Sequence, residues 1–240
     1  MRKDIDRATT DLCAWTEREE WMVRHLDVLS AHLSPMVDLT GMPPADALPR
    51  LPAEIVEHAM VFILEDFFTV RFGTDGKLNV VDAFLRRRGR RQSATARIYL
   101  KGLRDSAVSL YEVVGIDRGR SMTVRDLLRG GEPVTVEEKL GSTGVALHGH
   151  LAARLVAVGD THLFTGVVLP FRREASLKLQ SAFEEMAAEL EPTIRGNTVT
   201  ERTAEEMRAL ARQASVHTPV FPPMVIQFWL ADAVAGSAPP

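Results

Sequence analysis

The sequence predicts an α+β fold: N-terminal helices, a small five-stranded antiparallel β-barrel of the SH3 or OB kind, and C-terminal helices that return to cover it. Three observations carry this. Between Ser109 and Phe171, short apolar-alternating runs are separated by turn signals, in SLYEVVGIDRG, SMTVRDLLRGGEPVTVEEK and HLAARLVAVGDTHLFTGVVLPF, and a period of two is that of half-buried strands. Elsewhere apolar residues recur at three- and four-residue steps, the period of a helix. The chain has 240 residues, 45% hydrophobic and 25% charged, which suits a folded body of one large domain or two small ones. The expected divisions are a helical region over 1–106, the barrel over 107–171 and a C-terminal helical region over 172–240.

Residues 8–33 read as one helix, with Leu12, Trp15, Met22, Leu26, Leu29 and Leu33 as its apolar stripe and a gap in the spacing around residue 19. Ser34-Pro35 ends it, because the residue before proline avoids helical angles. Residues 35–52 hold five prolines and read as a long surface connection. Residues 53–72 form a helix that is apolar over more than half its circumference and therefore central to the helical part. Asn79 caps a short helix through Leu85, and Ser93 caps one that runs to about Asp105.

The five strands are expected near 109–116, 121–128, 133–139, 151–158 and 161–169. Gly130-Gly131 and Gly159-Asp160 are hairpin turn pairs. Arg125 and Asp126 are neighbours on a strand and point to opposite faces. An aspartate turned inward in a small barrel needs donors, such as the backbone N–H groups of a nearby turn. After Pro170, a helix spans 173–191 and ends at Pro192. Thr203 with Glu206 makes a capping box for the next helix, and MVIQFWL at 224–230 is a short docking helix or strand.

A net charge of −3 excludes a chain that is a polycation as a whole. The single cysteine, Cys13, excludes a disulfide within the chain and a cysteine-rich zinc site, and fits a reducing cytoplasm. The opening MRKDIDRATTDL lacks the apolar core of a signal peptide, and the longest apolar run, AMVFIL, falls far short of a membrane span. A cytoplasmic protein without membrane contact is expected.

The stretch SLYEVVGIDRGRSMTVRDLLRGGEPVTVEEK followed by GHLAARLVAVGDTHLFTGVVLPF resembles an uncharacterised bacterial domain of unknown function that is often found in proteins carrying a SEC-C metal-binding motif. The likeness covers Tyr99 to Phe171. Arg125-Asp126-Leu127-Leu128 and Leu169-Pro170-Phe171 fall where that family has them. His150 stands where an acidic residue is common, and the SEC-C cysteines are absent, so zinc binding is not carried over. The resemblance implies a fold and a bacterial setting, and no activity.

No catalytic residue, cofactor or metal is assigned. There is no G-x-S-x-G motif, and GTDG, RGG and GSTG lack the lysine and helix of a phosphate-binding loop. His148, His150 and His162 form the one histidine cluster, and they read as polar loop residues ahead of a metal site. Glu54, Glu57, His58, Glu65 and Asp66 crowd one helix with no matching helix to complete a carboxylate-bridged metal site, and they read as a solvated edge.

Two functions stay open. One is an interaction module, without catalysis, that binds a protein partner or a second copy of itself through the aromatic anchors Trp15, Trp21, Phe228 and Trp229. The other is sequence-independent nucleic-acid binding through the segment 86–104. Arg86, Arg87, Arg88, Arg90, Arg91, Arg97, Lys101 and Arg104 follow one another there with no acidic residue between Asp82 and Asp105. Against it stands pairing of this segment with the acidic C-terminal helices, which carry Glu184, Glu185, Glu189, Glu191, Glu201, Glu205 and Glu206.

Overall fold

The computed structural model describes residues 1–138, 145–197 and 202–237. The expected helix over 8–33 is two helices, α1 (Arg2–Thr16) and α2 (Glu19–Leu33). Arg18 is extended between them, at φ −73° and ψ 143°, where the apolar spacing skips. The break turns the second half of the stripe over. Trp21, Val28 and Leu33 face inward, while Met22 and Leu26 are 50% and 57% exposed.

The proline-rich connection is not structureless: it forms α3 (Met36–Thr40), α4 (Pro44–Ala47) and a 3-10 turn at Leu48–Arg50. Pro44 and Pro49 sit at helix starts, where a missing N–H costs nothing.

Helix α5 (Ala53–Thr69) buries Ala59, Phe62, Ile63, Phe67 and Phe68. Two of its carboxylates, expected at a solvated edge, are buried as well: Glu65 and Asp66. Each has found donors. Glu65 accepts the Gly166 N–H, and Asp66 pairs with the buried Arg154 guanidinium.

Helix α6 (Val80–Arg88) starts at Asn79, whose side chain accepts the Val81 and Asp82 N–H groups at 2.9 and 3.2 Å. The same amide donates to the Phe68 and Val70 carbonyls at 2.8 and 2.9 Å. One buried side chain thus caps α6 and fixes its start against the end of α5. A 3-10 turn (Gly89–Arg91) leads into α7 (Ala94–Asp105), which Ser93 caps as expected.

The strands are β1 (Val108–Asp117), β2 (Ser121–Asp126), β3 (Val134–Glu137), β4 (His150–Val158), β5 (Thr161–Phe164) and β6 (Leu169–Phe171). The expected fifth strand is therefore two. The end of the expected third strand, Lys139, and the GSTG piece lie outside the described residues. Strand order is β1-β2-β3-β5-β4-β6, and β1 also pairs with β4, so five strands close into a barrel. The α+β class holds, with one correction. A ring with an odd number of strands cannot alternate direction throughout, so the barrel is mixed rather than antiparallel. The Gly159-Asp160 turn links β4 to β5, with Val158 opposite Thr161 and Gly159 at φ 64°. That left-handed angle suits glycine.

The chain divides into two compact units: Met1–Ala107 with Arg154–Val167, and Val108–Ala153 with Val168–Pro240. In the first, α5 packs on α2, α6 and α7. In the second, Asp126 Oδ1 accepts from the Leu128 and Arg129 N–H groups at 3.0 and 2.8 Å and from Ser109 Oγ at 2.8 Å. These include the turn donors that an inward aspartate requires.

The second unit continues with α8 (Arg173–Asn197), α9 (Ala204–Ser215) and α10 (Phe221–Ser237). Helix α8 runs through Pro192 rather than ending there. The Thr203–Glu206 capping box is present. MVIQFWL lies within α10 as helix, and Trp229 Nε1–H donates to the Pro170 carbonyl at 3.0 Å.

Gly102 of α7 lies against β4 so closely that a Cβ would overlap Val156 Cγ1. Valine is stiff at χ1 and cannot swing aside. Ala for Gly ordinarily stabilises a helix by up to about 1 kcal/mol, but overpacking costs about 1–3 kcal/mol. Gly102→Ala is therefore expected to lower the urea-unfolding free energy, and Gly102→Ala/Val156→Ala to be more stable than the sum of the two single changes allows.

Candidate polyanion-binding site

Along α1 and just past its end, Arg7, Asp11, Ala14 and Arg18 recur at steps of four, three and four, so they follow one side of the helix. From α6 into the 3-10 turn, Phe84, Arg88 and Arg91 recur at four and three. These two rows, with Trp15 and Gln92, line a pocket of about 320 Å³ within the first unit. Trp15 is buried and meets Phe84 edge to face, with ring centroids 5.8 Å apart. The Arg18 guanidinium stacks 3.4 Å from the Trp15 ring centroid, and Arg87 lies 5.7 Å from it. A guanidinium held over an indole face by its charge can still turn N–H groups to an anion. On the wall, Gln92 Nε2 donates to Asp11 Oδ2 at 3.0 Å.

Among the described residues no carboxylate pairs with Arg7, Arg18, Arg88 or Arg91. The Trp15 indole N–H, a buried donor on the same pocket, also lacks an acceptor among them. The C-terminal end of α6 carries partial negative charge, which makes Arg86, Arg87 and Arg88 inexpensive there. That effect does not extend to Arg7 and Arg18, which come from another helix.

The basic residues expected from the sequence separate into groups. Arg86, Arg87, Arg88, Arg90, Arg91 and Lys101 are exposed. Arg97 is exposed too, and its guanidinium turns to the Gly89 and Gln92 carbonyls at 3.5 and 3.3 Å. Arg104 is engaged: Asp82 and Asp105 each lie 2.5 Å away. The hydrogen bond from Arg104 holds the Asp105 carboxyl below the usual carboxylate range. Its partners are thus local, and not the acidic residues of the C-terminal helices. There Glu184 pairs with Arg212 and Glu191 with Arg195, while Glu201 lies outside the described residues.

Trp15, Trp21 and Trp229 are buried, at 4%, 2% and 4% exposure, and Phe228 is half-buried. Their rings pack inside the fold: Trp15 on Phe84, and Trp21 6.4 Å from Phe67. The histidines are engaged separately. His148 Nδ1–H donates to Glu112 Oε1 at 2.8 Å, and this bond pulls the Glu112 carboxyl below its ordinary pKa. His150 Nδ1 and Ser176 Oγ share a hydrogen bond of 2.6 Å. Among the described residues, no three His, Cys, Asp or Glu side chains stand together as a metal site, His162 included.

A second cavity of the first unit, about 460 Å³, is lined mostly by apolar side chains with Glu65, Tyr99 and Cys13. Two of its polar groups are used by the fold. Glu65 accepts the Gly166 N–H, and Tyr99 hydrogen-bonds Thr9. Burial pushes the Glu65, Tyr99 and Cys13 pKa values up, which leaves Cys13 a poor nucleophile.

Residues 56–202, more than half of the chain, match the Family of unknown function (DUF7986). The chain belongs to this family. The DUF7986 match takes in Arg88, Arg91 and Gln92, while Arg7, Asp11, Trp15 and Arg18 precede it. No curated protein and no solved structure matches the chain. Among the described residues no helix is long and apolar enough to cross a membrane.

Sequence reasoning found Arg88 and Arg91 and missed Arg7 and Arg18. The signal was present as the 7, 11, 14, 18 spacing, but it lies beside the apolar stripe that first marks α1 as a helix. Uncompensated like charges do not support a fold, so Arg88→Ala and Arg91→Ala are expected to leave the urea-unfolding free energy unchanged or slightly raised. Arg104→Ala, which leaves Asp82 and Asp105 only the more distant Arg71, is expected to lower it by up to about 1 kcal/mol.

Proposed function

We propose that this chain is a binding protein, without a catalytic step, that holds the backbone phosphates of nucleic acid on the arginine cluster of its first unit. One observation carries the reading: arginines from two parts of the first unit line one pocket, and no carboxylate of the described residues forms an ion pair with them. Charge left unpaired is a cost to the folded chain, and an anionic ligand offsets it. Arginine suits phosphate because its planar fork matches two phosphate oxygens at once. The neighbouring exposed Arg86, Arg87 and Arg90 extend the positive field around the pocket. Contacts of this kind read backbone charge and not base identity.

The protein-partner reading keeps the exposed Met22, Val23 and Leu26 of α2 as its support, since three of its four expected anchors are buried. Three apolar side chains on one exposed helix are ordinary for a protein surface. Unpaired arginines brought to one pocket from two parts of the first unit are not. A cytoplasmic bacterial setting belongs to the same proposal and rests on the single cysteine and on the resemblance.

A mobility-shift titration at two salt concentrations tests the proposal. Affinity for generic single- and double-stranded oligonucleotides should fall steeply with salt, and Arg88→Ala/Arg91→Ala should lower the log–log slope by roughly 0.7–0.9 for each contact removed. The loss should be the same for every base sequence tried. Absence of binding at low salt contradicts the proposal.

A further inference from the structure

Resting on that reading, the pocket's shape and donors say which part of a strand it takes. We infer that it seats a terminal phosphate, the phosphomonoester at a strand end, rather than a phosphodiester within the strand.

The donor count favours a strand end. Four arginines line about 320 Å³, together with Trp15, whose buried indole N–H has no acceptor among the described residues. A phosphodiester offers two free oxygens and a single charge. A phosphomonoester offers three strong acceptor oxygens and a charge of about −1.5 to −2 at pH 7. Only the second can use a donor set of this size in so small a space.

Asp11 favours it too. Its carboxylate sits on the pocket wall, held by the Gln92 amide at 3.0 Å. With a carboxylate on one wall, the pocket is basic over part of its lining only, and a second phosphate brought near that wall would be repelled. A strand that ends in the pocket brings no second phosphate to that wall. One anion surrounded by arginines with a carboxylate on one side describes an end site, whereas a tracking groove would be basic along its whole length.

The apolar floor of the pocket adds to both. Trp15 and Phe84 close the base of the pocket with buried apolar rings. A cation over such a floor is less screened than one on an open surface, and its pairing with a dianion is correspondingly stronger.

The experiment uses the full chain and fluorescence anisotropy with one internally labelled oligonucleotide in three forms, bearing no terminal phosphate, a 5′-phosphate or a 3′-phosphate. At least one phosphorylated form is expected to bind about tenfold more tightly than the unphosphorylated one at pH 7.5. That preference should shrink as pH falls below about 6, where the second phosphate proton returns. Arg18→Lys keeps the charge and loses the planar fork, so it should weaken the phosphorylated forms more than the unphosphorylated one and shrink the preference. A nucleoside monophosphate should displace the oligonucleotide only at a much higher concentration than the phosphorylated strand itself. Equal affinity for all three forms, still weakened by Arg88→Ala/Arg91→Ala, would overturn the terminal-phosphate inference and leave the backbone-binding reading standing. Displacement by the free monophosphate as effective as by the strand would also overturn it, in favour of a small phosphorylated ligand. No binding of any form would remove both.

Discussion

A guanidinium and a carboxylate, both shut away from water, hold the first unit in register. Arg154 of β4 lies 2.5 Å from Asp66 of α5, and each side chain is under 10% exposed. Arg154 also donates to the Ser106 carbonyl at 3.0 Å, just past the end of α7. His32 of α2 donates from Nδ1 to the Val28 carbonyl at 2.8 Å, which leaves Nε2 facing Asp66 at 3.4 Å. Four elements therefore meet at one polar point inside an apolar body. Such a pair adds little net stability, because desolvation offsets its attraction. What it supplies is position, since either partner alone would be a buried charge.

From that point the geometry runs outward to the pocket. Asp66 fixes α5, and the Asn79 amide ties the end of α5 to the start of α6. Helix α6 then presents Phe84 to Trp15, and it and the 3-10 turn after it carry Arg88 and Arg91 to the pocket that Arg7 and Arg18 also line. The basic segment divides accordingly. Arg104 looks back into the fold and is satisfied by Asp82 and Asp105. Arg88 and Arg91 look out, towards no acidic partner among the described residues. A chain with a net charge of −3 can thus hold a local positive site, because the field near a surface follows the nearest charges and not their total.

The parts of this arrangement that depend on local chemistry were legible in the sequence. Asn79 and Ser93 announce helix starts, Gly159-Asp160 announces a two-residue hairpin, and Thr203 with Glu206 announces a capping box. The needs of Asp126 follow from its place in a barrel. What was not legible depends on distant pairing. Glu65 and Asp66 read as a solvated edge because nothing nearby in sequence shows that Gly166 and Arg154 will reach them. The tryptophans read as interface anchors because aromatic side chains suit an interface and a core equally. The skip near residue 19 was visible, but that Met22 and Leu26 would then face outward was not. The site was half visible: a run of arginines stands out, whereas arginines at 7 and 18 are two among 24 until α1 and α6 are set side by side.

The most direct test of the account watches the arginines themselves. In nitrogen-15 spectra of the guanidinium Nε–H groups, assigned by single substitutions, a short oligonucleotide can be titrated into the protein. The account predicts that Arg7, Arg18, Arg88 and Arg91 shift together along one saturating curve while Arg104, held by Asp82 and Asp105, stays in place. Weak, unsaturating shifts spread over every exposed arginine, or a saturating shift confined to arginines outside this pocket, would contradict it.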